Sequence, residues 1–174
     1  MIVTQRLPKR LFIGLTVMFL AMNAFSQQAG NVQEPPYKKN PTVPDLDLLL
    51  PDSTRFTKAA VKKQNTIIMY FSPDCDHCIH QMEDMNKQMK DLQNIQIIMV
   101  THQPMTMLTD FIKKYNLNSH SNIRAAQDDK FRLPGYYAIK GLPFFALYDK
   151  NGKFLKTFES NTPVDSLTHT FKTK

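Results

Sequence analysis

The sequence predicts an α/β fold in which one mixed β-sheet carries helices on both faces. Two observations favour this class. In the first two thirds of the chain, apolar runs typical of buried strands alternate with segments whose apolar residues recur at helical spacing. Near the end, two apolar runs flank residues 149–152, where Asn-Gly readily adopts the positive φ of a hairpin turn. Strands that alternate with helices are favoured to run parallel, whereas the two strands of a hairpin are antiparallel. We therefore expect a mixed sheet.

The first 26 residues have the three parts of a secretory signal peptide. Basic residues precede an apolar run over residues 11–20, and Ala24 and Ser26 fit the small-residue exit. We expect residues 1–26 to be removed on export, which lowers the formal net charge from +7 to +4 because three basic residues leave with them. The alternative is an uncleaved membrane anchor, although residues 11–25 are shorter than the about 20 residues that a span requires.

The remaining chain is expected to contain a leader and one domain. Residues 27–44 are rich in Pro, Asn, Gln and charged side chains, which predicts a flexible leader. Residues 45–174 are long enough for a single core and are expected to form one monomeric domain. No run of like charge is long enough to favour nucleic-acid binding.

The elements of the domain follow from its patterns of apolar residues. Alternating apolar residues on either side of a Pro-Asp-Ser turn predict an N-terminal hairpin. The remaining strands and helices are predicted from period-two and helical spacing. In chain order, the predicted elements are the hairpin over 46–57, a strand at 66–71, a helix from 79 to about 92, a strand at 95–100, a helix at 104–115, a strand at 123–126, a helix or ordered loop at 131–139, hairpin strands at 144–148 and 153–158, and a helix at 163–171.

The two cysteines lie where the central strand gives way to a helix. Residues 66–71 are β-branched and aromatic, which predicts a buried strand that stops before Pro73 because proline lacks the N–H that a sheet needs. Asp74 is of the residue type that caps helix N-termini, and apolar residues recur at helical spacing beyond Cys78. We therefore expect Cys75 in the opening turn of a helix at the edge of the sheet.

This position gives the two thiols different chemistry. Backbone N–H groups and the helix dipole stabilise an anion at a helix start, and the thiolate is the form that attacks a disulfide. Cys75 is therefore the candidate nucleophile. Cys78 lies one turn later and nearer the interior, where it is placed to resolve a mixed disulfide held on Cys75. His77 is expected to raise the reduction potential of the pair by stabilising the thiolate, while Asp76 acts in the opposite direction.

The residues around the cysteines resemble the active site of the thioredoxin superfamily. Residues 70–78 read Tyr-Phe-Ser-Pro-Asp-Cys-Asp-His-Cys and are most similar to exported thioredoxin-like disulfide oxidoreductases of Gram-negative bacteria. The motif Gly-Leu-Pro-Phe-Phe at residues 141–145 resembles the cis-proline loop that faces the redox pair in that family. The resemblance covers about residues 45–172. It implies a thioredoxin-like three-layer α/β/α sandwich, with an added N-terminal hairpin on the mixed central sheet.

The resemblance also implies a function, a location and a docking site. The protein would exchange disulfides with exported proteins through the Cys75–Cys78 pair, with this redox-active disulfide in place of any cofactor or bound metal. A membrane or periplasmic redox partner would renew the pair, and the periplasm would be its location. Gly141, Leu142 and Pro143 would bind the substrate, with a cis Leu142–Pro143 bond.

The sequence departs from thioredoxin at one position of the central strand. Met69 stands where thioredoxin carries a buried acid, six residues before the first cysteine. The usual proton acceptor for Cys78 is therefore missing there, and Glu83 is a poor substitute because it lies more than a helical turn beyond Cys78.

Three other interpretations of the cysteines remain open. The pair could form a static structural disulfide, although so short a loop gives little stabilisation. Together with His77 and His80 it could bind a metal, as part of a non-catalytic metal-binding or interaction module. The chain could also be a peroxiredoxin-like thiol peroxidase, because the Ser-Pro-Asp-Cys run resembles that nucleophile loop, with Ser72 where threonine is expected.

Overall fold

The computed structural model describes residues 34–172, and the predicted signal peptide lies outside them. The described chain contains seven strands and six α-helices. The strands are β1 (Asp47–Leu49), β2 (Arg55–Thr57), β3 (Thr66–Tyr70), β4 (Gln96–Thr101), β5 (Ile123–Gln127), β6 (Phe144–Tyr148) and β7 (Phe154–Glu159). The helices are α1 (Pro36–Lys39), α2 (Asp76–Lys87), α3 (Met89–Leu92), α4 (Met105–Lys114), α5 (Leu133–Tyr137) and α6 (Val164–His169).

The strands form one mixed sheet in the order β2-β1-β5-β4-β3-β6-β7. β3, β4 and β5 run parallel, as expected for strands joined through helices, whereas β6 is antiparallel to both β3 and β7. The predicted hairpin of β1 and β2 extends one side of this sheet and pairs with β5 at Leu49 and Gln127. The predicted thioredoxin-like α/β architecture with its N-terminal hairpin is therefore confirmed.

Successive side chains of the central strand, β3, face two different cores, one on each side of the sheet. Ile67 and Met69 of β3 face one core, which α2, α3, α4 and α6 cover, whereas Ile68 and Tyr70 face a second core under α5 and the hairpin. Successive side chains of a strand point to opposite faces, so a strand buried on both faces must be apolar throughout. Every residue of β3 is buried, as this arrangement requires.

The methionines of the helical segment that follows the cysteines are core residues, as the spacing predicts. Met82 and Met85 are fully buried in the first core, and Met89 packs against its edge. Burial of one such side chain contributes about 1.5–3 kcal/mol. The helix differs from the prediction in one respect, because it does not run unbroken to residue 92. It ends at Lys87, because the next residue, Gln88, has a φ of −116° that is not helical, and α3 follows as a separate turn.

Part of the predicted flexible leader is packed onto the domain. Of residues 27–44, those from 35 onward belong to the same compact unit as the sheet. The ring of Tyr37 lies 5.3 Å from that of Phe154, and Val43 is buried in the second core. These two apolar side chains fix a segment whose composition is otherwise polar, which is why the composition alone predicts a leader. Across residues 34–172, no helix combines the length and hydropathy that crossing a bilayer requires.

Candidate active site

The cysteine pair lies at the start of α2, beyond the C-terminal end of β3. Cys75 is the N-cap residue, and its carbonyl accepts a hydrogen bond from the backbone N–H of Ile79 at 2.9 Å. The sequence predicts Asp74 as the N-cap, which is one residue before the observed N-cap. The Asp74 carboxylate accepts a hydrogen bond from the Ser72 hydroxyl and does not cap the helix. Both cysteines are free thiols. Cys75 is half-buried and stands at the start of the helix, at the positive end of its dipole.

Cys78 is buried in the core, and its environment disfavours the thiolate. Burial raises the pKa of Cys78 to about 12, and the neighbouring Cys75 and Asp74 act in the same direction. A hydrogen bond with the backbone of Ser72 opposes this shift only in part. Cys78 is thus a shielded, protonated thiol at neutral pH, whereas Cys75 is reachable from solvent. The predicted difference in burial between the two sulfurs is present in the fold.

A chain of polar contacts holds the loop that carries Cys75. The Ser72 hydroxyl, which donates to Asp74, accepts a hydrogen bond from Gln103 Nε2 at 3.0 Å. The backbone carbonyl of Gln103 in turn accepts one from Gln127 Nε2 at 2.9 Å. These contacts join the C-terminal ends of β3, β4 and β5. The sequence analysis did not identify them, although a glutamine at or just after the end of each of two buried strands was a visible signal.

The first turns of α2 are anchored from the other side by the segment before α6. Gln81 is buried, and its side-chain amide accepts from the backbone N–H of Thr162 at 2.7 Å and donates to the carbonyl of Thr162 at 3.0 Å. The Asn161 side chain donates to the backbone carbonyl of His77 at 2.9 Å. Both ends of the redox motif are therefore fixed by contacts that are distant in sequence.

The histidines and the glutamate near the pair are exposed, whereas the methionine of the central strand is buried. His77 and His80 are exposed on α2, so an effect of His77 on the potential stays a prediction. Met69 is fully buried in the same core as Cys78, so this position of the central strand offers Cys78 no proton acceptor. Glu83 is exposed. Among residues 34–172, no three His, Cys, Asp or Glu side chains are grouped closely enough to hold a metal ion.

The predicted docking residues lie at the same edge of the sheet as the cysteine loop. Phe144, the first residue of β6, pairs with Tyr70, the last residue of β3, so residues 141–143 approach the sheet where β3 ends. The Leu142–Pro143 peptide bond is cis. Leu142 is half-buried and contacts the cores on both faces of the sheet, which places it on the rim between them.

Comparison with solved structures places this fold among thioredoxin-like proteins. A putative thiol:disulfide interchange protein DsbE from Chlorobium tepidum is similar with a TM-score of 0.62 and 20% identity, over 74% of this chain and 92% of that chain. A secreted disulfide oxidoreductase of Mycobacterium tuberculosis, homologous to Escherichia coli DsbE, is similar with a TM-score of 0.58 and 16% identity, over 72% and 93% of the two chains. A peroxiredoxin-like protein from Aquifex aeolicus is similar with a TM-score of 0.60 and 18% identity, over 75% of this chain and 84% of that chain.

Sequence comparisons identify the family. No curated protein sequence matches the chain. The model of the AhpC/TSA family matches residues 40–171. This range includes the whole sheet, the two cysteines and the Gly-Leu-Pro-Phe-Phe motif at residues 141–145. The resemblance to the thioredoxin superfamily is thereby confirmed, and the protein belongs to the AhpC/TSA family of that superfamily.

Proposed function

We propose that the protein is an exported thiol–disulfide oxidoreductase that exchanges disulfides with other proteins through Cys75 and Cys78. The observation that carries this proposal is the asymmetry of the pair. Cys75 is half-buried at a helix start, whereas Cys78 is fully buried and its pKa is raised to about 12. Only the first sulfur is suited to meet a partner in solution, and the second is suited to act inside the protein.

The reaction follows from this asymmetry. The Cys75 thiolate attacks one sulfur of a client disulfide, forms a mixed disulfide, and releases the other client sulfur as a thiolate that takes a proton from water. Cys78 then gives its proton to water and attacks the Cys75 sulfur, and the second client sulfur leaves as a thiolate that is protonated in turn. The mixed disulfide breaks, the Cys75–Cys78 disulfide forms, and the client leaves fully reduced with two electrons gained. The reverse sequence oxidises a client dithiol.

The docking edge supports a protein substrate. Residues 141–143 lie beside the end of β3, and an extended client segment placed there can pair with the Leu142 backbone as an added strand. Proline at position 143 has no N–H to compete for such contacts. We assign Gly141, Leu142 and Pro143 to client binding on this basis.

Export is supported by the sequence of the N-terminal segment. Its basic head and apolar run are those of a secretory signal, and the similar protein from Mycobacterium tuberculosis is described as secreted. Outside the cytoplasm disulfides persist, so the pair needs a redox partner in the periplasm or membrane to renew it.

Trapping with single-cysteine variants tests the proposal. Cys78→Ser should accumulate a mixed disulfide with insulin, because no internal thiol can release it, and Cys75→Ser should form none. The reverse pattern, or no adduct with either variant, would contradict the assignment of Cys75 as nucleophile. Peroxide consumption by the reduced wild type is measured in parallel, and consumption faster than insulin reduction would identify a thiol peroxidase instead.

A further inference from the structure

One large hydrophobic side chain in the described part of the chain is exposed to solvent. Phe131 follows β5, and 58% of its surface is accessible. Its backbone has φ of 49°, in the left-handed region that is unfavourable for a residue with a side chain. An exposed phenyl ring in an unfavourable backbone conformation requires a cause, because neither feature stabilises the domain.

Buried contacts hold Phe131 in this position. Its N–H donates to the backbone carbonyl of Asp128 at 3.0 Å. Asp128 is only 2% exposed, and its carboxylate accepts the N–H groups of Arg132 at 3.1 Å and Leu133 at 2.8 Å. The buried carboxylate of Asp128 therefore stabilises the turn that contains Phe131. The fold fixes the direction of Phe131 rather than leaving it on a loose loop.

Phe131 is the outer member of a row of three rings. Its ring meets that of His102 edge-on, with 5.0 Å between centroids and 74° between planes. The His102 ring lies parallel to that of Tyr70, at 6.3 Å and 9°. Tyr70 is buried, and within residues 34–172 its hydroxyl has no hydrogen-bond partner. We call Phe131, His102 and Tyr70 the aromatic platform.

The aromatic platform is continuous with the redox edge of the sheet. Tyr70 is the last residue of β3, which leads into the Cys75 loop, and it pairs with Phe144 next to Pro143. Gln103, which directly follows His102, donates to Ser72. Neighbouring strands are about 4.8 Å apart and an extended chain advances about 3.3 Å per residue. A client segment whose cysteine meets Cys75 is therefore long enough, with a few further residues, to reach the platform.

The charges beside Phe131 favour an apolar occupant. Lys130 and Arg132 flank it in sequence, but both pair with the carboxylate of Asp47, which also pairs with Arg55. Asp129 pairs with the same arginine. Within residues 34–172, the charged side chains that flank Phe131 in sequence are thus paired with groups of opposite sign, whereas the phenyl and imidazole rings offer apolar and aromatic contact.

We propose that Phe131 determines client specificity, and that the aromatic platform binds a large apolar side chain of the client segment near the client's reacting cysteine. This inference rests on the proposed function, since it requires that clients dock at the redox edge. Phe131 takes no part in the exchange itself, because it is placed to contact the client away from the sulfurs.

Two disulfide-linked peptides test the proposal. They differ only in Phe or Ser, placed three residues from the cysteine. The wild type should reduce the Phe peptide with about tenfold higher kcat/KM, a ratio that corresponds to about 1.4 kcal/mol. Phe131→Ser should remove this preference by slowing the Phe peptide alone, and Phe131→Leu should keep most of it. Lys130→Ser, a change in the same loop but outside the aromatic platform, should leave the preference intact.

A small disulfide, bis(2-hydroxyethyl) disulfide, separates docking from chemistry. Its reduction rate should be the same for the wild type and Phe131→Ser. Equal kcat/KM for the two peptides in the wild type, or an equal loss on both in Phe131→Ser, would overturn the platform while the proposed function stands. Failure of the wild type to reduce the small disulfide would overturn the proposed function and the platform with it.

Discussion

Alkylation of the reduced protein at pH 8 should label Cys78 about 1,000-fold more slowly in the folded state than in urea. The magnitude follows from the thiolate fraction, since only the thiolate reacts. Burial raises the pKa of Cys78 from 9.0 to about 12. At a pH below both pKa values, the ionised fraction of the thiol falls tenfold for each unit by which its pKa rises. A rise of about three units therefore lowers the thiolate fraction about 1,000-fold. Steric shielding of a fully buried sulfur adds to this factor.

The assay is iodoacetamide labelling followed by peptide-resolved mass spectrometry. Cys75 of the same molecules is the internal control, because this residue is only half-buried and should be labelled first. Raising the pH from 8 to 10 should speed the labelling of folded Cys78 about 100-fold, because the group is still far from ionised at both values. Equal labelling of Cys78 in the folded and unfolded protein, or equal rates at the two cysteines, would refute the assignment of Cys78 as the shielded thiol.

The supports of the redox pair and of the hairpin give further predictions. Gln81→Ala should lower the free energy of unfolding by about 2–4 kcal/mol in urea denaturation, because it strands a buried backbone donor and acceptor, whereas the exposed Gln93→Ala should change little. His77→Pro should lower the reduction potential measured against glutathione, where about 30 mV corresponds to about 1.4 kcal/mol, and an unchanged potential would mean that the imidazole points away from the sulfur. Hydrogen bonds from the basic side chains of Arg55 and Lys130 lower the pKa of Asp47 to about 2. The contribution of Asp47 to the free energy of unfolding is therefore complete at a pH above its usual pKa of 3.8, and it is lost as the pH falls towards 2. Asp47→Asn should flatten the acid unfolding curve followed by circular dichroism over that range.

Three of the strands, β3, β4 and β6, were predictable because each is buried over its whole length. Burial on both faces leaves β3, β4 and β6 as continuous apolar runs, and such runs are visible in the sequence alone. The segment before the hairpin was not predictable in the same way. Residues 35–44 are held by two apolar side chains, Tyr37 and Val43, and a composition average gives these little weight.

The cysteine pair was predictable for a similar reason, since the strand end, the loop and the helix start are contiguous in the chain. The contacts that hold the pair are not contiguous. Gln103 reaches Ser72 across 31 positions and Gln81 reaches Thr162 across 81, and neither pairing has a local signature. The same applies to Phe131, because its exposure depends on where β5 and the turn after it are placed. The sequence therefore identifies the candidate cysteines, while their supports and the exposed position of Phe131 emerge only from the fold.

Catalysed reduction of insulin by dithiothreitol tests the central claim most directly. If Cys75 and Cys78 form a catalytic dithiol, the wild type should accelerate the precipitation of reduced insulin well above the rate with dithiothreitol alone. Cys75→Ser should give the background rate, because the nucleophile that meets the client is gone. A wild-type rate equal to background, or equal acceleration by the wild type and Cys75→Ser, would contradict the account.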